Sequence, residues 1–230
     1  MLLLGGLAVT TVAVVTGQAD RYVDVPVQDF VAAHDWRVPH RLLEGAVRAG
    51  DGDVVVATVS AAAVACVVLG RPWNRVLRLV VGCAASGLLI QLLKVTFDRT
   101  SSYTIPGQAA PRSGAYPSGH VAAVLIVTGL VVWALAPGNR RVARSWAVVL
   151  AASASAVEGA AILLLHQHWL TDIAAGWLLG LLLLLAFTTE RTTQRTTESR
   201  HRTDLHDIGT ATRRPLAAAP PGRNEGNRLT

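Results

Sequence analysis

The fold is decided by the stretch PSGHVAAVLIVTGLVVWALA, residues 117–136, in which four residues of polar or turn character open a long apolar run. A second apolar run, about 146–165, ends shortly before His168, and Asp172 follows four residues later. Polar side chains at the mouth of a membrane helix are costly to place there, so they are usually functional. The sequence therefore predicts a membrane protein with a polar site at one end of its helices.

Composition supports a membrane protein, because 51% of the 230 residues are hydrophobic. The apolar residues fall into runs of roughly 17–22, each long enough to cross a hydrocarbon core about 30 Å thick as a helix. Because backbone groups must be satisfied inside lipid, we expect an all-α bundle of six transmembrane helices. We expect the first helix to be retained, since no basic residue precedes it. The six runs are about 1–17, 53–70, 76–97, 120–136, 146–165 and 172–188.

The chain divides into a predicted membrane domain, residues 1–188, and a tail, residues 189–230. The tail is rich in Thr, Arg, Pro and Gly and poor in apolar residues, which predicts a disordered segment. Between the first two runs, residues 18–52 carry charges of both signs, and their apolar spacing predicts one or two short amphipathic helices on the membrane surface.

Arginine placement predicts the orientation. Arginines without acids fill the links between the second and third runs and between the fourth and fifth, and eight more lie in the tail. By the positive-inside rule these segments and both termini are cytoplasmic, and the polar site faces outward. We expect the membrane to be the plasma membrane. The net charge of +6 then reflects topology and gives no reason to expect nucleic-acid binding. The linking arginines are Arg71, Arg75, Arg78, Arg140, Arg141 and Arg144.

The predicted site contains candidates for binding an anion. Lys94 is the only lysine of the chain and ends the third run, where its ammonium can neutralise an oxyanion. Ser118 and Gly119 open the fourth run, so a hydroxyl and the free N–H groups of a helix start are available to a phosphate.

Two histidines and a carboxylate are candidates for chemistry at the same end. His168 and Asp172 are four residues apart, which places them on one helical face. A carboxylate that accepts one ring N–H fixes the tautomer and leaves the other nitrogen free to attack. His120 follows Gly119, whereas His166 is interpreted as a bystander that points elsewhere.

Together these segments resemble the type 2 phosphatidic acid phosphatase family, which is related to the vanadium haloperoxidases. The resemblance covers roughly residues 53–188 and rests on three segments in this order. They are Lys94, Pro117-Ser118-Gly119-His120 and His168-Trp169-Leu170-Thr171-Asp172.

The resemblance implies a role for each matching residue. His168 would be the nucleophile that forms a phosphohistidine, Asp172 would orient it, and His120 would protonate the leaving alcohol. The family needs no metal or other cofactor, and its substrate would be a lipid phosphate or diphosphate. The residues implied to hold the phosphate are Lys94, Ser118 and Gly119.

Two arginines of the family pattern are absent. Serine stands at 101, where the family's first motif has arginine, and Ile162 stands where its third motif has arginine. Arg99 and Arg112 are candidate substitutes for gripping the phosphate bidentately. Glu158, a carboxylate deep in the fifth run, either pairs with an arginine of a neighbouring helix or marks an altered pocket.

The leading hypothesis is an integral membrane phosphatase acting on a lipid. A catalytically inactive relative that binds lipid headgroups or a membrane partner is an alternative, motivated by the missing arginines. A lipid phosphotransferase is another. A metal site built from His120, His166, His168 and Asp172 is the weakest, because the spacing matches no common ligand pattern.

Overall fold

The computed structural model of the chain describes residues 1–100, 114–137 and 140–189. These residues form helices and no strand, which confirms the predicted all-α fold. A π-helical turn, Asp20–Asp24, runs into the second helix, and a 3-10 turn, Arg48–Gly50, follows the third. The α-helices are α1 Leu2–Val15, α2 Val25–Ala33, α3 His40–Val47, α4 Gly52–Val68, α5 Trp73–Phe97, α6 Gly119–Leu135, α7 Arg140–Leu164 and α8 Leu170–Thr188.

The helices suited to crossing a membrane follow the predicted apolar runs. Three of them, α5, α7 and α8, are long and apolar enough. Two pairs of helical segments pass the same test together but are bent at a short break. They are α1 with Asp20–Ala33, bent by 92°, and His40–Gly50 with α4, bent by 58°. If each bent pair is one span, the described residues contain up to five spans. The apolar α6 is shorter, so the count of six spans stays a prediction. Ser101, Arg112 and the predicted disordered tail beyond Thr189 lie outside the described residues.

Helix α6 is the centre of the bundle. It contacts α4, α5, α7 and α8, and its side chains are buried on several faces, including Val121, Leu130 and Trp133. A helix that is apolar all round is stable only when neighbours or lipid cover every face. The residues that begin α6 are therefore held at a fixed position among the surrounding helices.

Arginines join the helices at the end of the bundle opposite the predicted site. Arg75 donates a hydrogen bond to the carbonyl oxygen of Ala136 at 2.7 Å, and Arg78 reaches the carbonyl oxygen of Phe187 at 3.5 Å. Both guanidinium groups also lie over the Trp133 ring. Carbonyl groups at helix C-termini lack intrahelical partners and attract cations. These arginines, predicted only as topology signals, therefore also brace α6 and α8.

The starts of α6 and α8 approach each other closely at the predicted site. The backbone N–H of Ser118 donates to the carbonyl oxygen of Asp172 at 3.0 Å. One turn further along α8, a Cβ on Gly176 would lie 2.8 Å from the Ser118 oxygen and 3.3 Å from Val121. Only a residue without a side chain fits this contact, so Gly176 sets the distance between the two helix starts.

Gly176→Ala is expected to lower the free energy of unfolding by about 1–3 kcal/mol, the usual cost of overpacking a filled interior. The contact is with backbone, which cannot move aside as a flexible side chain can. Thermal unfolding in detergent measures the loss.

The matched control is Gly87→Ala, because a Cβ at that exposed position of α5 meets nothing within 4 Å. Its stability should equal or slightly exceed that of the wild type. Equal melting temperatures for both variants would contradict the close approach of α6 and α8.

Candidate active site

The structure brings the predicted site residues together at one end of the bundle. Lys94 lies in the last turn of α5, Ser118 directly precedes α6, and His168 precedes α8, whose first turn carries Asp172. His120 lies in the first turn of α6, directly after Gly119. The three separate segments therefore meet at one end of the bundle, and their role as an active site stays a prediction.

The start of α6 forms a cradle suited to a phosphate group. The Ser118 hydroxyl is fully buried and has no hydrogen-bond partner among the described residues. A Cβ on Gly119 would lie 3.4 Å from the Lys94 ammonium nitrogen, so the lysine reaches the first N–H groups of the helix. A helix start with a cation and an unpaired hydroxyl beside it binds oxyanions readily.

His168 is held by the first turn of α8. Its Nδ1 lies 3.5 Å from Oδ2 of Asp172, longer than a normal hydrogen bond. Such contacts are often long in unliganded sites and shorten when substrate binds. The same carboxylate oxygen accepts the Trp169 N–H at 3.2 Å. With Nδ1 turned towards Asp172, the other ring nitrogen, Nε2, is the one available for attack.

His120 has a partner that the sequence analysis missed. Its Nε2 lies 3.2 Å from Oδ1 of Asp51, the residue just before α4. Half of each side chain or more is shielded from solvent. A carboxylate at this distance can accept the ring N–H, which fixes the tautomer and the orientation of the His120 ring.

Arg99 lies at the centre of a cluster of carboxylates. Its guanidinium donates to Asp172 at 2.5 Å and to Asp24 at 2.7 Å, and it also pairs with Asp20. Burial alone would lower the pKa of Arg99, but Asp172 and the aspartates of the N-terminal segment outweigh it and raise the pKa. Because these donors are engaged, the arrangement favours Arg99 as a positioning residue for Asp172. Its role as a phosphate ligand stays a prediction.

The N-terminal segment also braces the loop that carries His168. Asp24 accepts both the N–H of Thr171 at 2.9 Å and its hydroxyl at 2.5 Å. Gln28 donates to the His168 carbonyl oxygen at 3.1 Å. The predicted helices of residues 18–52 are thus present, and part of this segment packs into the site. The sequence feature that could have predicted this packing is the spacing of Asp20, Asp24 and Gln28, which share one helical face at i, i+4 and i+8.

His166 shapes the turn between α7 and α8. Its φ of +55° is left-handed, and its Nδ1 lies 2.6 Å from the Gln28 side-chain oxygen. The His166 ring therefore contacts Gln28, and its predicted role as a bystander to the chemistry stays a prediction. In the described part of the chain, no three His, Cys, Asp or Glu side chains are placed to hold a metal ion.

The place of the missing second arginine is filled by apolar side chains. Ile162 is fully buried and belongs to a cluster with Val47, Val121, Ala161 and Ile173. This cluster lies directly beneath the starts of α6 and α8. The Ile162 side chain therefore packs beneath the residues that begin α6 and α8, and it offers no hydrogen-bond donor to a phosphate.

Comparison with known proteins identifies the family. The model of the PAP2 superfamily matches residues 75–195, more than half of the chain. The chain belongs to the PAP2 superfamily. With its apolar helices, this PAP2 protein is a multi-pass membrane protein, and the resemblance predicted from its motifs is confirmed.

The fold of this PAP2 chain also has a solved counterpart. It is similar to the first transmembrane PAP2 type phosphatidylglycerolphosphate phosphatase from Bacillus subtilis, with a TM-score of 0.67. The alignment covers 80% of this chain and 92% of that one at 18% identity, so the likeness concerns the fold alone. No curated protein matches the chain.

Asp24→Asn is expected to lower the free energy of unfolding by about 1.5–3 kcal/mol, the range for a hydrogen bond to a charged group. The buried carboxylate serves both Arg99 and Thr171, and an amide cannot accept from all of these donors. Thermal unfolding in detergent is the measurement.

Asp35→Asn is the control, because that carboxylate pairs with Arg37 where both side chains are exposed. Exposed pairs contribute little, so this variant should melt with the wild type. A wild-type melting temperature for Asp24→Asn would show that the carboxylate cluster does not stabilise the fold.

Proposed function

We propose that the chain is an integral membrane phosphatase that hydrolyses a lipid phosphomonoester. Family membership supports the reaction class. The observation that carries the proposal is the cradle at the start of α6, where the unpartnered Ser118 hydroxyl lies beside Gly119 and Lys94. His168 and His120 flank the place where a phosphate would sit.

The proposed reaction has two steps. In the first, the lone pair of His168 Nε2 attacks phosphorus in line, the bond from phosphorus to the alcohol oxygen breaks, and His120 gives the departing oxygen its proton. In the second, water attacks the phosphohistidine, His120 takes a proton from that water, and the phosphorus–nitrogen bond breaks to release phosphate. Asp172 stabilises the charged His168 ring during the first step. Neither step requires a metal.

The charges around the site favour a monoester over a diphosphate. Lys94 is the cation that faces the cradle among the described residues, while the guanidinium of Arg99 is engaged by carboxylates. A diphosphate carries more negative charge and would depend more on cations. The Bacillus subtilis neighbour is named for phosphatidylglycerolphosphate, itself a lipid phosphomonoester, which is consistent with this substrate class.

We further propose that the site faces outward from the plasma membrane, with both termini in the cytoplasm. The arginines that cap α6 and α8 lie at the opposite end of the bundle from His168. Positive residues are retained on the cytoplasmic side during insertion. Lipid substrate would then reach the site from the outer leaflet.

A second candidate function is a binding protein that retains the fold without turnover. The apolar packing of Ile162 favours it, because this position offers no donor to a phosphate. Each charge-assisted contact contributes about 1.5–3 kcal/mol, so the absence of two arginines could remove most of the catalytic advantage. Turnover by the purified chain distinguishes the two candidates.

His168→Ala is expected to reduce phosphate release from lipid phosphomonoesters at least about 10³-fold, because no phosphohistidine can form. The assay follows inorganic phosphate released in detergent from a panel that contains phosphatidate, phosphatidylglycerolphosphate and an isoprenyl diphosphate. His120→Ala should lose about 10²–10⁴-fold, the contribution of general acid–base catalysis.

The control is His40→Ala, since His40 is exposed and pairs with Glu44 away from the site. This variant should release phosphate at the wild-type rate. Release by the wild type should be unchanged when a metal chelator is added. Absence of release by the wild type across the panel would overturn the phosphatase proposal. Release that persists in His168→Ala would overturn the mechanism, and loss with chelator would favour a metal.

Lys94→Met is expected to weaken inhibition by the product, inorganic phosphate, roughly 10–150-fold, which corresponds to about 1.5–3 kcal/mol for one charge-assisted contact. Methionine has a similar length but no charge. The inhibition constant is measured with the best substrate of the panel. Arg41→Met, a loss of charge at an exposed position, should leave the constant unchanged. An unchanged constant in Lys94→Met would exclude the lysine from the phosphate site.

A further inference from the structure

Glu158 is a buried carboxyl group that the proposed mechanism does not use. It lies in α7 with 1% of its surface exposed. The backbone N–H of Gly50 faces the carboxyl group, but neither carboxyl oxygen makes a hydrogen bond of normal geometry with the described residues. An acid in this position is costly unless a partner satisfies it. Of the two outcomes open for Glu158 at the sequence level, the structure shows no arginine paired with it in the described residues.

The carboxyl group lines an apolar cleft between four helices. The cleft has a volume of about 380 Å³ and extends between α3, α4, α6 and α7. This volume lies within the range of small-molecule sites, which combine apolar walls with a few polar groups. Apart from Glu158, its walls are largely apolar and include Ala46, Ala49, Val54, Val127 and Val157.

The cleft adjoins the candidate active site through Gly50. A Cβ on Gly50 would collide with the Glu158 carboxyl group and would lie 2.9 Å from the Cα of His120. The next residue, Asp51, contacts the His120 ring. Gly50 therefore lies between Glu158 and the histidine assigned to protonate the leaving alcohol, and the cleft adjoins that side of the proposed site across this one residue.

We propose that this cleft receives the alcohol part of the lipid substrate and that Glu158 binds a hydroxyl or amino group close to the phosphate. The alkyl chain lies along the apolar walls. This inference rests on the proposed function and narrows its substrate class to lipid phosphomonoesters that carry a hydrogen-bond donor beside the phosphate ester.

The chemistry of Glu158 explains the preference for a donor. A substrate with a donor satisfies the buried carboxyl group, whereas an analogue without one leaves it unpaired in an apolar cleft. Sites built to hydrogen-bond a substrate hydroxyl discriminate strongly against the analogue that lacks it, because the penalty falls on the unpaired protein group. Glu158 is therefore a specificity-determining residue.

The test compares two lipids that differ in one hydroxyl group, 1-oleoyl lysophosphatidate and its 2-deoxy analogue. We expect wild-type kcat/KM to be at least about tenfold higher for lysophosphatidate. In Glu158→Leu this ratio should fall to about one, because the leucine demands no donor. Replacing a buried ionisable group by an apolar one of similar volume is often neutral or stabilising, and thermal unfolding verifies that the variant folds.

The variant Glu158→Gln distinguishes a hydroxyl partner from an amino partner. Sphingosine 1-phosphate is the substrate that carries an amino group. An amide oxygen still accepts from a hydroxyl group, so the lysophosphatidate preference should persist. If the ammonium is the partner, the glutamine variant should lose affinity for sphingosine 1-phosphate. Glu44→Leu is the matched control, since Glu44 is exposed and pairs with His40, and it should keep the wild-type preference.

Measuring binding in a variant without turnover tests the role of Glu158 separately from the proposed phosphatase activity. In His168→Ala, lysophosphatidate should raise the melting temperature more than the deoxy analogue does, and adding Glu158→Leu should remove the difference. Equal kcat/KM and equal thermal shifts for the two lipids would overturn the role of Glu158, even with full phosphatase activity. A thermal preference without turnover in the wild type would support Glu158 and overturn the phosphatase proposal.

Discussion

The ion-pair cluster around Arg99 is the interaction on which the site depends. Three carboxylates from two distant segments converge on one guanidinium that is 10% exposed. Buried ion pairs contribute little net stability, but removal of one partner leaves an uncompensated charge and costs several kcal/mol. The cluster therefore acts as a geometric constraint. It forces the π-helical turn, the end of α5 and the start of α8 to meet, and His168 is positioned as a result.

Ile162 stands where the family pattern has an arginine, and it is buried among apolar side chains. Five apolar side chains fill the volume beneath the helix starts. A buried guanidinium there would need acceptors that this cluster does not contain. In the proposed site, Lys94 and the N–H groups of α6 offset the negative charge of the phosphate, an arrangement that suits a substrate of low charge whose affinity comes from its apolar part. The apolar cleft that contains the Glu158 carboxyl group near His120 is consistent with this proposal, because it would hold the apolar part of the substrate.

The sequence predicted the helices well and their mutual contacts poorly. Apolar runs place α4, α5, α6 and α8 within a few residues because hydropathy marks the part of a helix that lipid or core must cover. The start of α7 is earlier than predicted, at Arg140, because its first turns are polar and hydropathy does not register them. The convergence of Lys94, Ser118 and His168 followed from alternating helix directions. The pairing of Asp24 with Thr171 did not, since an isolated aspartate in a charged segment looks like a solvated surface residue.

The distance in sequence between the partners of the carboxylate cluster has a consequence for biosynthesis. Asp24 and Thr171 are 147 residues apart, so Asp24 can pair with Arg99 once α5 has been made but meets its Thr171 donors only when α8 is present. Assembly of the site is thus a late, non-local event. The proposed nucleophile, His168, and the groups that hold it come together only when α8 is present, so a chain that lacks α8 does not contain the proposed site.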